Sequence, residues 1–197
     1  MRRLDKERLI IATHNKGKLE EVRDLLTPYV SNIVSAGDLN LPEPEETGTT
    51  FVENAVLKAR AAAAQSGSPA LADDSGLCVN ALGGKPGILS ARWGGPHKDF
   101  SAAMQRVQNE LGTAADRSAY FICVLALVWP DQHTEIFEGR ADGTLVWPGR
   151  GTNGHGYDPM FVPEGQSRTF AELSHDEKNA LSHRGLAVKE LLAALRD

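Results

Sequence analysis

An apolar run in the middle of this chain is broken by two adjacent carboxylates: residues 70–79 read ALADDSGLCV. A single Asp ahead of a Gly is ordinary turn chemistry. Two in a row repel each other, and they become useful when a cation sits between or beside them. The apolar runs on either side read as two strand-like segments flanking an Asp73-Asp74-Ser75-Gly76 element. Adjacent residues in a strand point to opposite faces, so the two carboxylates need not share a role. One can hold structure while the other faces a cleft.

The remaining composition is that of an ordinary soluble globular chain, with 41% hydrophobic and 24% charged residues among 197. That length supports one domain with a real core, or two small lobes sharing one sheet. The expectation is a single domain over residues 1–197. No apolar stretch approaches the roughly 20 residues that span a bilayer, and the longest, YFICVLALVW at Tyr120 to Trp129, has strand length. The N-terminal MRRLDKERLI carries charges with no apolar signal region behind them. The expectation is a cytoplasmic protein with no membrane partner. A net charge of −5 disfavours long nucleic acid, which wants a basic face, but not a small anion held by local cations. Cys78 and Cys123 sit in apolar runs without metal-ligand spacing and read as buried reduced thiols.

Periodicity places Arg8 to Thr13 in a strand, Lys16 to Leu26 in a helix and Asn32 to Ala36 in a short strand. Gly37 to Gly48 is a loop rich in Pro and Glu. A helix follows over Thr50 to Gln65, with Thr49 or Thr50 as N-cap and Gly67 as its stop. A third helix spans Phe100 to Leu111. Ala119 to Trp129 and Thr134 to Glu138 read as paired strands, with Asp142-Gly143 as a hairpin turn towards Leu145 to Trp147. A Gly-rich loop covers Gly149 to Gly156. Ser174 with Glu177 is a capping-box pattern opening a last helical region that runs to about Leu195. Early alternation of helix and strand, then a meander, makes a mixed α/β fold.

Four further stretches carry chemistry. In ATHNKGK, residues 12–18, a strand ends and a helix begins with lysines and a glycine at the junction. Helix N-termini attract phosphate through their N–H groups and dipole; a solvated helix start is the alternative. It is no Walker loop, because Leu19 follows Gly17-Lys18. On the Thr50 helix, Lys58 lies on the side of Phe51, Ala55, Ala59 and Ala62, either snorkelling to solvent or pointing into a cleft. A Mg²⁺ site takes one or two carboxylates plus phosphate oxygens and water, which fits one Asp of the pair with a Glu from the preceding loop. GRGTNG at residues 149–154 matches a dinucleotide fingerprint by letter only, since Pro159 follows and no βαβ unit surrounds it. Its glycines still mean tight turns or close approach to a ligand, with His155, Tyr157 and Asp158 as candidates to touch a ring. In HDEKNALSHRG, Lys178 and Ser182 are i, i+4 neighbours and His183-Arg184 follows, with a charged helix face as the alternative. No HExxH zinc pattern occurs among the histidines.

The ordered set is T-x-N-x-x-K, E-E-T-G-x-T-F-x-E-N-A-x-x-K-A, A-D-D-S-G-L, G-G-x-P-G-I-x-S-A-R-W, G-Y-D-P-x-F and E-K-x-x-x-S-H-R-G. Together these closely resemble the Ham1/RdgB family, the inosine/xanthosine triphosphate pyrophosphatases, from Leu9 to Leu195. The resemblance implies two lobes around a long, mixed, twisted sheet with flanking helices, an active cleft between the lobes, and a homodimer. It implies Mg²⁺-dependent hydrolysis of ITP, dITP and XTP to the monophosphate and pyrophosphate, which clears deaminated purines from the nucleotide pool. Asn15 and Lys18 then resemble triphosphate-binding residues, with the backbone of Thr13, His14, Asn15, Lys16, Gly17 and Lys18 lining the phosphates. Lys58 resembles the cleft lysine, and Glu46 and Asp74 the Mg²⁺ ligands. Asp74 is also the implied carboxylate for the attacking water, with Asp73 as its support or the reverse. Ser75 resembles a substrate contact. His155, Gly156, Tyr157, Asp158, Lys178, His183 and Arg184 resemble the base-recognition set. Two positions depart from the pattern: His14 stands where members often have Gly, and His155 where many have Phe. A broader nucleoside triphosphate pyrophosphatase and a non-catalytic nucleotide sensor are the rival expectations.

Overall fold

Strand alternation is what layers this molecule. A computed structural model describes Leu4 and residues 8–196; most of the basic N-terminal stretch and the side chains of Lys16 and Arg196 lie outside the described residues. Strands β1 (Leu9–Ile11), β2 (Ile33–Ser35), β3 (Ala70–Val79), β4 (Ser118–Val128), β5 (Thr134–Leu145) and β6 (Phe161–Pro163) form one sheet in the order β2-β1-β3-β4-β5-β6. β1 runs parallel to both β2 and β3, with Ile10 opposite Val34 and Ala70, whereas β5 and β6 are antiparallel, so the sheet is mixed. The helices are α1 (Lys16–Leu26), α2 (Phe51–Ser66), α3 (Phe100–Leu111), α4 (His175–Leu181) and α5 (His183–Arg196). The α/β class expected from the sequence is the one observed.

The chain divides into two compact units, one running to Asp74 with Cys123–Gly139 and the residues from Arg184, the other Ser75–Ile122 with Arg140–His183. In the first unit the two faces of the strands feed two cores. Leu9, Ile11, Leu71, Cys123, Leu125 and Leu127 pack with Val22 and Leu26 of α1 and Ala187, Val188 and Leu191 of α5. Ile10, Ala12, Ala70, Ala72, Val124, Ala126 and Val128 pack with Ala55, Ala59, Ala62 and Ala63 of α2. Small side chains on the α2 face let that helix lie close to the sheet. The second unit has its own core, in which Ala103, Val107 and Leu111 of α3 meet Leu77, Phe121, Leu145, Phe161 and Phe170. Each fully buried Leu or Phe here contributes about 1.5–3 kcal/mol of burial.

Local signals set the helix ends as read: Thr50 caps α2 by accepting from the Glu53 N–H, Gly67 ends it in the left-handed region, and Ser174 and Glu177 form a capping box on α4. Three expectations need correcting. The Asp-Asp-Ser-Gly element does not separate two strands; β3 runs straight through it. Asp142-Gly143 is no hairpin turn either, since β5 is continuous and Gly143 opposes Pro163 of β6. A Cβ at Gly143 would strike the Val162 carbonyl, so glycine there serves close strand approach. The last helical region is two helices, because Ser182 between α4 and α5 is extended (ψ 153°).

Candidate active site

β2, β1 and β3 run parallel with β1 in the middle, so the chain leaves β1 for β2 on one side and then returns past β1 to β3 on the other. In such sheets ligands sit at the carboxyl ends of the strands where the order reverses. That point is occupied by the β1–α1 junction and by Asp73-Asp74. Asn15 caps α1 by accepting the Lys18 N–H at 3.2 Å, Thr13 Oγ1 accepts the Asn15 N–H at 3.2 Å, and no acidic residue stands in the first turn. The helix therefore keeps its positive end uncompensated by its own side chains. His14 is exposed, and its Nε2 donates to the Leu41 carbonyl at 3.0 Å, tying this junction to the loop after β2. The Lys16 side chain lies outside the described residues.

The strand alternation that layers the core also splits the acid pair. Leu71 faces α1 and α5, so Asp73 does too. Its carboxylate meets Lys18 Nζ at 3.0 Å and accepts from Arg184 Nη2 at 3.2 Å, and the same guanidinium pairs with Glu21. Arg184 is 1% exposed, and Glu21 and Asp73 are 5%. Burial alone would raise the Asp73 pKa, but Lys18, Arg184 and Lys58 outweigh it and hold the carboxyl well below the usual range. Asp73 is thus a permanent anion built into an ion network.

Ala72 faces α2, and so does Asp74. Asp74 accepts from Asn54 Nδ2 at 3.3 Å and lies 3.5 Å from Lys58 Nζ, which bonds Glu46 at 2.6 Å. Asn54 in turn accepts the Gly48 N–H at 2.8 Å, fixing the end of the loop that carries Glu46. Burial lowers the pKa of Lys58, yet Asp73, Asp74 and Glu46 outweigh it and raise it. The Asp74 carboxyl is pushed up, first by burial and then by Glu46 and Asp73, against the pull of Lys58 and Lys18. Burial, with two other carboxylates close by, outweighs the pull of the two ammonium groups. Neighbours in sequence thus acquire opposite character: Asp73 a fixed charge, Asp74 a carboxyl ready to take a proton.

No three His, Cys, Asp or Glu side chains converge as a metal cage among the described residues. What converges on one cation, the Lys58 ammonium, is the carboxylate pair Glu46 and Asp74. Two hard oxygen donors, with other positions left to phosphate oxygens and water, fit Mg²⁺.

In the second unit, Asp158 Oδ2 accepts from Lys178 Nζ at 2.7 Å and from the His155 N–H at 2.8 Å, with Asp158 and Lys178 both buried. Gly156 lies between these partners in sequence, with φ 69°. Tyr157 is 2% exposed, and its hydroxyl donates to the Ser90 carbonyl at 2.7 Å. His183 stacks on Phe121, ring centroids 4.7 Å apart and 10° from parallel. Ser75, half-buried, opens this unit directly after Asp74. Of the residues expected to read a base, the structure joins His155, Asp158 and Lys178; Arg184 it places with Glu21 and Asp73.

The sequence profile of the Ham1 family matches residues 9–194. The chain belongs to the Ham1 family. It is 58% identical over 195 residues to the dITP/XTP pyrophosphatase of Rhodospirillum centenum, covering 98% of this chain and 96% of that protein. It is 57% identical over 192 residues to the dITP/XTP pyrophosphatase of Caulobacter vibrioides, covering 96% and 98%. Among solved structures, a HAM1 protein from Coxiella burnetii matches with a TM-score of 0.89 at 42% identity, over 96% of this chain and 98% of that one.

For this Ham1 chain the sequence reading passed over Glu21 and gave Asn54 no role. Glu21 follows Lys18 by three residues, one turn along α1, which is the only local sign that both face the same anion and cation set. Asn54 sits one turn before Lys58 on α2, a sign of the same kind. Neither spacing says that the helix face it marks is buried against charge.

Proposed function

We propose that this protein is a nucleoside-triphosphate pyrophosphatase, hydrolysing non-standard purine nucleoside triphosphates (dITP, XTP and ITP) to the monophosphate and pyrophosphate with Mg²⁺. The observation that carries the chemistry is Asp74, a buried carboxyl of raised pKa held between Lys58 and Asn54, with Glu46 on the same ammonium. The names of the relatives, dITP/XTP pyrophosphatases, support the substrate class.

The triphosphate lies at the β1–α1 junction, where the N–H groups of the first turn of α1 face it and Lys18 and Lys58 neutralise its charge. Asp74 orients water towards the α-phosphorus and takes its proton, a task suited to a carboxyl with a raised pKa. Asn54 holds Asp74 in register, and Asp73 keeps Lys18 in place. Glu46 and Asp74 would hold Mg²⁺, which supplies charge neutralisation on the leaving pyrophosphate when bound. Turnover is expected to vanish in EDTA and to return with Mg²⁺; full turnover in metal-free buffer would remove the metal from this reading.

In the second unit Lys178 carries only donors, and Asp158 spends one oxygen on Lys178 and the His155 N–H. An ammonium, which can only donate, suits the C6 keto oxygen of hypoxanthine and xanthine and cannot accept from the adenine amino group. Sites built on buried hydrogen bonds reject the wrong partner by about 10⁴-fold or more. GTP shares the keto oxygen, so its 2-amino group must be what is refused. The test is a panel of dITP, ITP, XTP, GTP, ATP and pyrimidine triphosphates with Mg²⁺, scoring monophosphate and pyrophosphate separately. The expected order is dITP, ITP and XTP well ahead of GTP, with GTP no worse than ATP. Comparable kcat/KM for ATP and ITP would overturn keto recognition and leave a general pyrophosphatase, and nucleotide binding without product would make the chain a sensor.

A further inference from the structure

The G-G-x-P-G-I-x-S-A-R-W stretch, residues 83–93, has no part in the chemistry above, yet the second unit is pinned together through it. Ser90 ends a short 3-10 turn over Gly87–Leu89. Its hydroxyl donates to the Gly87 carbonyl at 2.6 Å and accepts the Leu77 N–H of β3 at 2.9 Å. The turn sits so tightly on β3 that a Cβ at Gly76 would collide with the Gly87 carbonyl and lie 2.6 Å from Ser90 Oγ. On its other side, the Ser90 carbonyl accepts the hydroxyl of Tyr157 at 2.7 Å. Tyr157 is buried, and its ring meets Phe100 edge-on, centroids 5.5 Å apart. Tyr157 is thus flanked in sequence by Gly156 and Asp158, the carboxylate that holds Lys178 and the His155 N–H.

We propose that Ser90 and Tyr157 form a strut that fixes the 154–158 loop against β3 just past Asp74-Ser75, so that Tyr157 sets base selectivity as a positioning residue without touching the base. The proposal rests on the base-reading role given above to the Asp158–Lys178 cluster. A buried hydroxyl 2.7 Å from a backbone carbonyl ties Tyr157, and through the chain its neighbours Gly156 and Asp158, to the Ser90 turn. Without it the aromatic ring can still fill its place against Phe100, but the loop is no longer tied to the strand. The donors that discriminate a keto oxygen from an amino group then lose their alignment, and discrimination depends on alignment more steeply than binding does.

The experiment compares kcat/KM for dITP and dGTP in wild type, Tyr157→Phe, Ser90→Ala and the double variant. Tyr157→Phe removes one oxygen and keeps the ring; Ser90→Ala frees the turn from Leu77 and serves if the first variant fails to fold. The dITP:dGTP ratio is expected to fall by roughly 10- to 100-fold in each single variant, the range produced by a displaced positioning group. The double variant should be little worse than either, because both cut one strut. A merely structural role would lower both substrates equally and leave the ratio where it was, and that outcome, or additive losses in the double variant, overturns the strut. A wild type that already fails to prefer dITP would instead overturn the base-reading role beneath it.

Discussion

Asp74→Asn is expected to lower dITP turnover by about 10²- to 10⁴-fold, the scale of losing a positioned acid–base group, while the fold survives. Asn is nearly isosteric with Asp, and its side-chain oxygen still accepts from Asn54 Nδ2, now 3.3 Å from Asp74. Lys58 keeps Glu46 as its partner at 2.6 Å. What disappears is the negative charge beside Lys58 and the capacity to take a proton from water. The comparison that gives this measurement its force is Asp73→Asn. Asp73 faces the opposite side of β3 and is committed to Lys18 and Arg184. Its loss should register first as lost stability. Steady-state turnover with thermal melting of both variants reads the difference. An active Asp74→Asn beside an inactive but well-folded Asp73→Asn would show that the two carboxylates have their roles reversed.

Arg184→Met should be among the most destabilising single substitutions in the chain, at about 3–5 kcal/mol, because removing one member of a buried ion network strands the others. Met matches the length of the arginine stem, so packing is largely kept, but Glu21 and Asp73 are left buried without the guanidinium that both of them meet. For a chain of this size that loss corresponds to a Tm lower by on the order of 10 °C. Adding Glu21→Gln to the variant should recover part of it, since one of the stranded charges goes. A melting curve within about 2 °C of wild type would mean that the network contributes little. The pH dependence follows from Asp73, whose folded pKa lies far below its unfolded value. Its contribution is present above about pH 4 and is lost as the pH falls through the folded value. In Arg184→Met that acid-side loss should be smaller.

Much of this was legible locally. α1 and α3 span the residues expected of them, and Thr50 and Gly67 bound α2 as read, because an apolar period and a side-chain cap are decided within one or two turns of chain. The carboxylates, lysines and glycines that build the site could be named for the same reason: their residue types are unusual where they stand. The Asp-Asp-Ser-Gly and Asp142-Gly143 elements were misread because both are turn formers in isolation. In the sheet their backbone groups are met by neighbouring strands, and the ladder overrides the local preference.

The sequence by itself determined which residues are available for chemistry and which of them lie on one face of one helix. Strand alternation allowed Asp73 and Asp74 separate roles, but that β3 runs unbroken through both was settled only by the fold. Only the tertiary structure decided what each of them looks at. Arg184 reaches Glu21 across 163 positions of chain and Asp73 across 111. No local rule foresees that a guanidinium so far away will hold Asp73 ionised while burial and two neighbouring carboxylates push Asp74 towards protonation. The division of labour between two adjacent and chemically identical side chains is therefore a property of the packing around them. An ionisable group's pKa is set by the charges and solvent within a few ångströms, and folding alone brings those together.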